Sequence, residues 1–165
     1  MKIRSACVGD AAAIAAIYAP HVLTGLATFE EEPPTREEIA GRIDAVLAAG
    51  LPWLIAEDED QKPLGYAYAA PYRARAAYRF TAESSIYLAE HAQGQGVGTA
   101  LMTAVLAALA STQIRELVAV IGDSENAASR ALHAKLGFRH VGTLENVGHK
   151  FGKSVDTVIT QLTLK

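Results

Sequence analysis

Cysteine is almost missing from this chain of 165 residues, where Cys7 stands alone. A single thiol forms no internal disulfide, and no Cys/His group has the spacing of a zinc site. Excess positive charge is missing too. Fifteen Lys and Arg stand against 18 Asp and Glu, for a net charge of -3. A protein whose main partner is nucleic acid needs a basic face instead. Long hydrophobic runs are also lacking. The longest, Ala100 to Ala110, is about half of the ~20 residues that a membrane span requires. The start, Met1-Lys2-Ile3-Arg4-Ser5, has no apolar core of the kind found in secretion signals. The expectation is a soluble cytoplasmic protein with no metal, no membrane and no nucleic-acid partner.

What is present suffices for a real core. Half of the residues are hydrophobic and 20% are charged, and the length is that of one ordinary domain, residues 1–165. No repeat, low-complexity tract or linker divides it.

Lys2–Ala6 is a short first strand. Asp10 stands where a helix N-cap belongs, and Ile14, Ile17, Tyr18 and Val22 follow at helical spacing. Thr35-Arg36-Glu37-Glu38 has the form of a capping box, which predicts a helix with Ile39, Ile43, Val46 and Leu47 inward. Trp53–Glu57 and Leu64–Ala70 read as two strands of a hairpin, and Ser84–Leu88 as another strand. A helix over Thr99–Ala110, a strand over Leu117–Ile121 and a helix over Asn126–Leu136, stopped by Gly137, come next. Phe138–Gly142 and Val155–Thr163 close the chain as strands. Hairpins in the first half and βα units in the second imply an α+β fold. Its centre is a mixed, mostly antiparallel sheet of about seven strands with helices on both faces.

Gln93-Gly94-Gln95-Gly96-Val97-Gly98-Thr99 lies between a strand and a helix. Glycines at alternate positions let successive backbone N–H groups turn inward as an anion nest, and the next helix adds its N-terminal dipole. The loop suits a pyrophosphate. It lacks the Gly-Lys-Ser/Thr of an ATP loop, and its Gly-x-Gly-x-Gly spacing is not that of a dinucleotide fingerprint. A flexible turn without ligand is the alternative that the glycines alone leave open.

Gln93–Gly98 resembles the Gln/Arg-x-x-Gly-x-Gly/Ala signature of the GNAT superfamily of acyl-CoA-dependent N-acetyltransferases. Asn126-Ala127-Ala128-Ser129 through Lys135-Leu136-Gly137-Phe138 is similar to a later motif of the same superfamily. Two motifs in order, with the matching element order, are far more specific than one loop. A narrower resemblance, to the phosphinothricin and methionine sulfoximine N-acetyltransferase branch, rests on Pro71–Tyr78, Thr81–Leu88, Gly148–Gly152 and Asp156. It implies acetyl-CoA as co-substrate, a small amino acid or analogue as acceptor, and a homodimer.

The resemblance gives roles to particular residues. Glu83 becomes the general base that takes a proton from the acceptor ammonium, a task for which burial would raise its pKa. Without the resemblance it reads as a surface glutamate at a strand end. Ser85, Ile86, Tyr87 and Leu88 run beside the pantetheine arm, whose amides can pair with strand backbone. An N–H near Leu88 can also serve the thioester oxyanion. Gln93, Gly94, Gln95, Gly96, Val97, Gly98 and Thr99 hold the pyrophosphate, and Asn126 and Ser129 the arm; Asn126 serves equally as a plain N-cap. His133 stands where many members of the superfamily have a tyrosine that protonates the departing thiolate, with a half-buried structural histidine as the alternative. Arg73 and Arg75 are candidates to hold an acceptor carboxylate or phosphinate, with Ala74, Thr81 and Ala82 around them. His149, Lys150 and Phe151 are weaker candidates for a pocket wall or dimer contact. His21 and His91 read as surface residues. Cys7, assigned to the first strand, is badly placed as a nucleophile. Glu30-Glu31-Glu32 offers an acidic pocket if the acceptor is instead a polyamine, an aminoglycoside or a protein N-terminus, and a non-catalytic acyl-CoA-binding module is the alternative from another class.

Overall fold

The computed structural model describes residues 1–165, the whole chain. Seven strands form one sheet in the order β1-β2-β3-β4-β5-β7-β6. They are β1 (Lys2–Ser5), β2 (Trp53–Glu57), β3 (Pro63–Pro71), β4 (Thr81–Leu88), β5 (Glu116–Gly122), β6 (Arg139–Lys150) and β7 (Lys153–Thr163). Every pair is antiparallel except β4 with β5. The expected mixed, mostly antiparallel α+β sheet is therefore what forms.

Four helices cover it: α1 (Ala11–Thr24), α2 (Arg36–Ala48), α3 (Val97–Leu109) and α4 (Ala127–Lys135). The two sheet faces follow from strand alternation. On one, Tyr87 packs against Tyr66 of β3 and Tyr18 of α1. On the other, Ile86 and Leu88 lie over Gly98 of α3 and near Leu132 of α4. Fully buried Ile14, Ile43, Ile55, Leu101, Met102, Leu109 and Leu117 fill the layers between. No helix is long and apolar enough to cross a membrane.

Local chemistry explains most boundaries. Thr35 accepts the Glu38 N–H at 3.2 Å while Glu38 accepts the Thr35 N–H at 2.6 Å, the two-way cap its sequence predicts. Gly137 closes α4 with φ +90°. One expectation holds in position only, and two fail. Asp10 precedes α1, but its carboxylate does not cap that helix. It takes the Arg4 guanidinium at 2.8 and 2.9 Å and the Cys7 N–H at 2.8 Å, and these bonds hold it down at about 2. Leu47, expected inward, is 39% exposed. Cys7 lies beyond β1 and is exposed.

The largest difference is β6, which runs on through Lys150 rather than stopping at Gly142. Gly142, Glu145, Asn146 and Gly148 look like strand breakers in one dimension. The pairing with β7 survives them through irregularities at His140/Gly142 and Leu144/Gly148. Asn146 takes φ +58° there, and its N–H donates to the Asp156 carboxylate at 2.9 Å.

Candidate active site

The site is a break in the sheet. β4 and β5 pair in parallel only from Thr81/Glu116 to Ser84/Ala119. Beyond that point both strands continue, β4 to Leu88 against β3 and β5 to Gly122 against β7, but no longer against each other. Val120, on a central strand, is accordingly 42% exposed.

The unpaired edge of β4 offers backbone. The Ala89 N–H donates to the Leu64 carbonyl and the Tyr72 N–H to the Thr81 carbonyl. Odd-numbered residues of β4 thus direct their peptide groups to β3, and those of Ile86 and Leu88 face the opening. A cleft of about 640 Å³ fills this gap, lined by Ser84–Leu88, Val120–Gly122, the glycine loop and α4.

The glycine loop sits at its mouth. Gly94 and Gly96 have φ +71° and +80°, a region that costs other residues ~1–2 kcal/mol. Gly96 is the N-cap of α3, so the first N–H groups of that helix are left for a ligand. Gly98 is different. A Cβ there would meet Ile86, Leu88 and Leu132 at an ordinary 3.5 Å. Gln93, Gly94, Gly96, Gly98 and Thr99 line the cleft, whereas the Gln95 amide donates to the His91 carbonyl at 2.6 Å and the Val97 side chain is buried.

On α4, Asn126 caps the helix by accepting the Ser129 N–H at 3.1 Å. Its amide NH2 is left free to donate to a ligand. His133 is 3% exposed, with Nδ1 2.7 Å from the Ser129 carbonyl and its ring edge-on to Phe138 at 4.9 Å. A carbonyl only accepts, so Nδ1 carries the proton and Nε2 is a bare acceptor while the ring is neutral. Burial lowers the pKa of His133, with the Ser129 carbonyl working against that shift. These features favour a structural neutral imidazole over a thiolate-protonating imidazolium.

Glu83 stands one residue before the point of divergence, opposite Ala70 on β3 and Val118 on β5. It is the third residue of β4 rather than a residue before the strand. Burial raises its pKa, and the Arg73 guanidinium pulls it back down. It shares a sheet face with Ser85 and Tyr68, not with Ile86 and Leu88.

The expected acceptor residues converge less well. Arg73 and Arg75 are exposed on the loop before β4, and Arg73 lies over the Tyr72 ring at 5.1 Å. Ala74 is exposed with them, while Ala82 is fully buried on the face opposite Glu83, so its side chain belongs to the core. None of Arg73, Ala74, Arg75, Thr81, Ala82 and Glu83 lines the cleft. Nor is Glu30 a free acidic group. The Arg42 guanidinium holds it from two nitrogens at 2.6 and 3.0 Å, and the Tyr18 hydroxyl donates to it at 2.5 Å. Arg42 first, then Tyr18, keeps its pKa low.

His21 is the residue that the sequence reading missed. Its Nε2 donates to the Leu88 carbonyl at 2.9 Å, and its ring tilts against Tyr87 at 5.3 Å. It lines the cleft and also a neighbouring groove beside α1. A signal existed: His21 follows Ile14 and Ile17 on the inward stripe of α1. His91 is exposed, as expected. No group of three or more His, Cys, Asp and Glu residues is arranged to hold a metal ion.

The profile of the Acetyltransferase (GNAT) family matches residues 19–138. A phosphinothricin N-acetyltransferase of Alcaligenes faecalis is 53% identical over 155 residues, covering 94% of this chain and 78% of that one. An L-methionine sulfoximine/L-methionine sulfone acetyltransferase of Pseudomonas aeruginosa is 35% identical over 163 residues, covering 99% and 94%. A solved phosphinothricin acetyltransferase from Sinorhizobium meliloti, in complex with acetyl-CoA, superposes with a TM-score of 0.94. It is 39% identical, over 98% of this chain and 87% of that one.

Proposed function

The chain belongs to the GNAT acetyltransferase family, and we propose that it acetylates the amino group of a small amino acid or analogue, of the phosphinothricin or methionine sulfoximine type, from acetyl-CoA. The observation that carries this reading is the divergence of β4 from β5 at Ser84/Ala119, with the glycine loop at its open end and Glu83 at its closed end. Acetyl-CoA supplies an acyl group activated as a thioester.

The chain's own residues fit that donor without a charged side chain. The nest at Gly94–Gly98 and the first N–H groups of α3 receive a pyrophosphate. The peptide group of Ile86 receives an amide of the pantetheine arm as an added strand would be received. The Leu88 N–H, whose carbonyl is held by His21, is available to an oxygen that gains negative charge. The amide of Asn126 flanks the same path.

Glu83 acts as the base. An amine acceptor is mostly ammonium at neutral pH, and a half-buried carboxylate with a raised pKa takes its proton better than an exposed one. Transfer is direct, since exposed Cys7 lies outside the cleft. Arg73 and Arg75 supply guanidinium groups for the acceptor's acidic group. Residues 1–165 act as one catalytic domain in the cytoplasm. The exposure of Arg73, Arg75 and Tyr78 supports a homodimer in which a second copy covers the acceptor side.

The test is an acceptor panel assayed by thiol release. Methionine sulfoximine and phosphinothricin are expected to be acetylated well, and spermidine and an N-terminal peptide poorly. Activity on the polyamine alone would end the amino-acid reading.

A further inference from the structure

Lys150 is 1% exposed, and no carboxylate pairs with it. Its ammonium donates to the carbonyls of Gly25 at 2.9 Å and Thr28 at 2.8 Å. Both belong to the segment between α1 and α2, which at Gly25–Phe29 has no regular structure of its own. A buried ammonium is costly, and an apolar side chain of similar size would fill the space at lower cost. What the charge adds is direction: two bonds tie down carbonyls that no helix or strand would hold.

The surroundings are shaped around this tie. Lys150 enters from the tip of the β6–β7 hairpin, where Phe151 takes φ +53° and Gly152 φ +70°. Both values are those that a two-residue turn between Lys150 and its strand partner Lys153 requires. Two glycines make room on either side. A Cβ on Gly148 of β6 would lie 2.4 Å from the Phe29 ring, and one on Gly122 of β5 would lie 2.6 Å from the Leu26 carbonyl. The Thr28 hydroxyl is bonded to the Tyr18 hydroxyl at 2.6 Å, and the Tyr18 ring packs edge-on to Tyr87 of β4. The segment is thus clamped between the ends of β5 and β6. Its Ala27, together with His21 and Gly122, lines the cleft.

We propose that Lys150 is a positioning residue for this cleft, pinning the Gly25–Phe29 segment so that Ala27 stands as a wall against Gly122. The proposal rests on the reading of the cleft as the acetyl-CoA site. Lys150 touches no reacting atom. It acts through the segment it holds.

The test uses the full chain with Lys150→Met, and with Lys153→Met, an exposed lysine of the same hairpin, as control. Two measurements are made: CoA affinity by titration calorimetry and amide hydrogen exchange along the chain. Lys150→Met is expected to weaken CoA binding by about ten-fold, the scale of one or two lost charge-assisted bonds. Exchange should quicken at residues 25–29 and stay unchanged in β5 and α3, and Lys153→Met should alter neither measurement. If Lys150→Met does not fold, Gly148→Ala displaces Phe29 from the other side with the ammonium retained, and should shift both measurements in the same direction by less. Faster exchange with unchanged CoA affinity would reduce Lys150 to a fold residue and overturn the proposal, as would unchanged exchange. A wild-type chain that fails to bind CoA would instead overturn the reading of the cleft, while the exchange data would still report on the clamp.

Discussion

The two ends of β4 are built from different materials. Toward Leu88, the cleft is made of main chain: the peptide groups of Ile86 and Leu88, the turn at Gly94 and Gly96, and the first N–H groups of α3. Toward Thr81, outside the cleft, stand side chains instead: Glu83, Arg73, Arg75 and the aromatic residues around them. The first end is already assembled, since sheet pairing and helix geometry place every donor. The second is open, with its arginines unpaired by any carboxylate and exposed. A ligand common to a whole family suits the first kind of site, because backbone is indifferent to side-chain drift. An acceptor that differs among relatives suits the second.

Substitutions at the two ends should therefore give opposite kinetic signatures. The largest effect is expected from Glu83→Gln, which removes the proposed base but no cleft-lining residue. The rate of transfer near neutral pH should fall by about 10²–10⁴-fold while CoA affinity stays close to wild type, and an unchanged rate would remove Glu83 from the mechanism. Gly96→Ala addresses the other end. Forcing an alanine to φ +80° costs ~1–2 kcal/mol, so the loop should open and CoA affinity should drop by about ten-fold, with the acceptor KM little changed.

Arg73→Ala sharpens the contrast further, because two effects are expected from one exposed residue. The acceptor KM should rise by about ten-fold, as for loss of a charge-assisted bond, without loss of CoA affinity. The acid limb of the kcat/KM profile should also move. Arg73 lowers the pKa of Glu83, so its removal leaves that carboxylate protonated to higher pH, and the limb shifts upward. A limb that stays in place would separate Arg73 from Glu83.

The smallest catalytic effect is expected at His133. His133→Phe should leave the rate within about three-fold of wild type, since a thiol of pKa about 8.5 leaves without much help. Its signature lies in stability instead. With a folded pKa below the ordinary 6.5, the native state binds fewer protons than the unfolded one, so stability declines as pH falls below 6.5. Chemical denaturation across that range should show the decline in wild type and a flatter profile in the variant.

Legibility followed the same divide. The capping box at Thr35, the stop at Gly137 and the loop at Gln93–Gly98 could be read from the chain because each depends on residues a few positions apart. The full extent of β6 could not. Its pairing with β7 crosses Gly142, Asn146 and Gly148, which mean turn locally and bulge only when a partner strand lies alongside. Asp10 was placed correctly at the head of α1, yet its carboxylate went to Arg4, a stronger partner than a backbone N–H. His21 lay on the inward stripe of its helix, but only the approach of Leu88 from 67 residues away made it part of the cleft. Lys150 shows the limit most plainly, since nothing near it in the chain foretells a buried ammonium.

By itself the sequence determined the order and kind of the elements, the glycine turn ahead of α3 and the family. Period, caps and glycine conformation act over a few residues, and those are printed in the chain. The tertiary structure alone decided where β4 leaves β5, which face Glu83 looks onto and what Lys150 holds. Each of these depends on the competition among distant partners for the same space and the same hydrogen bonds. That competition is settled only when the sheet and its covering helices close on one another.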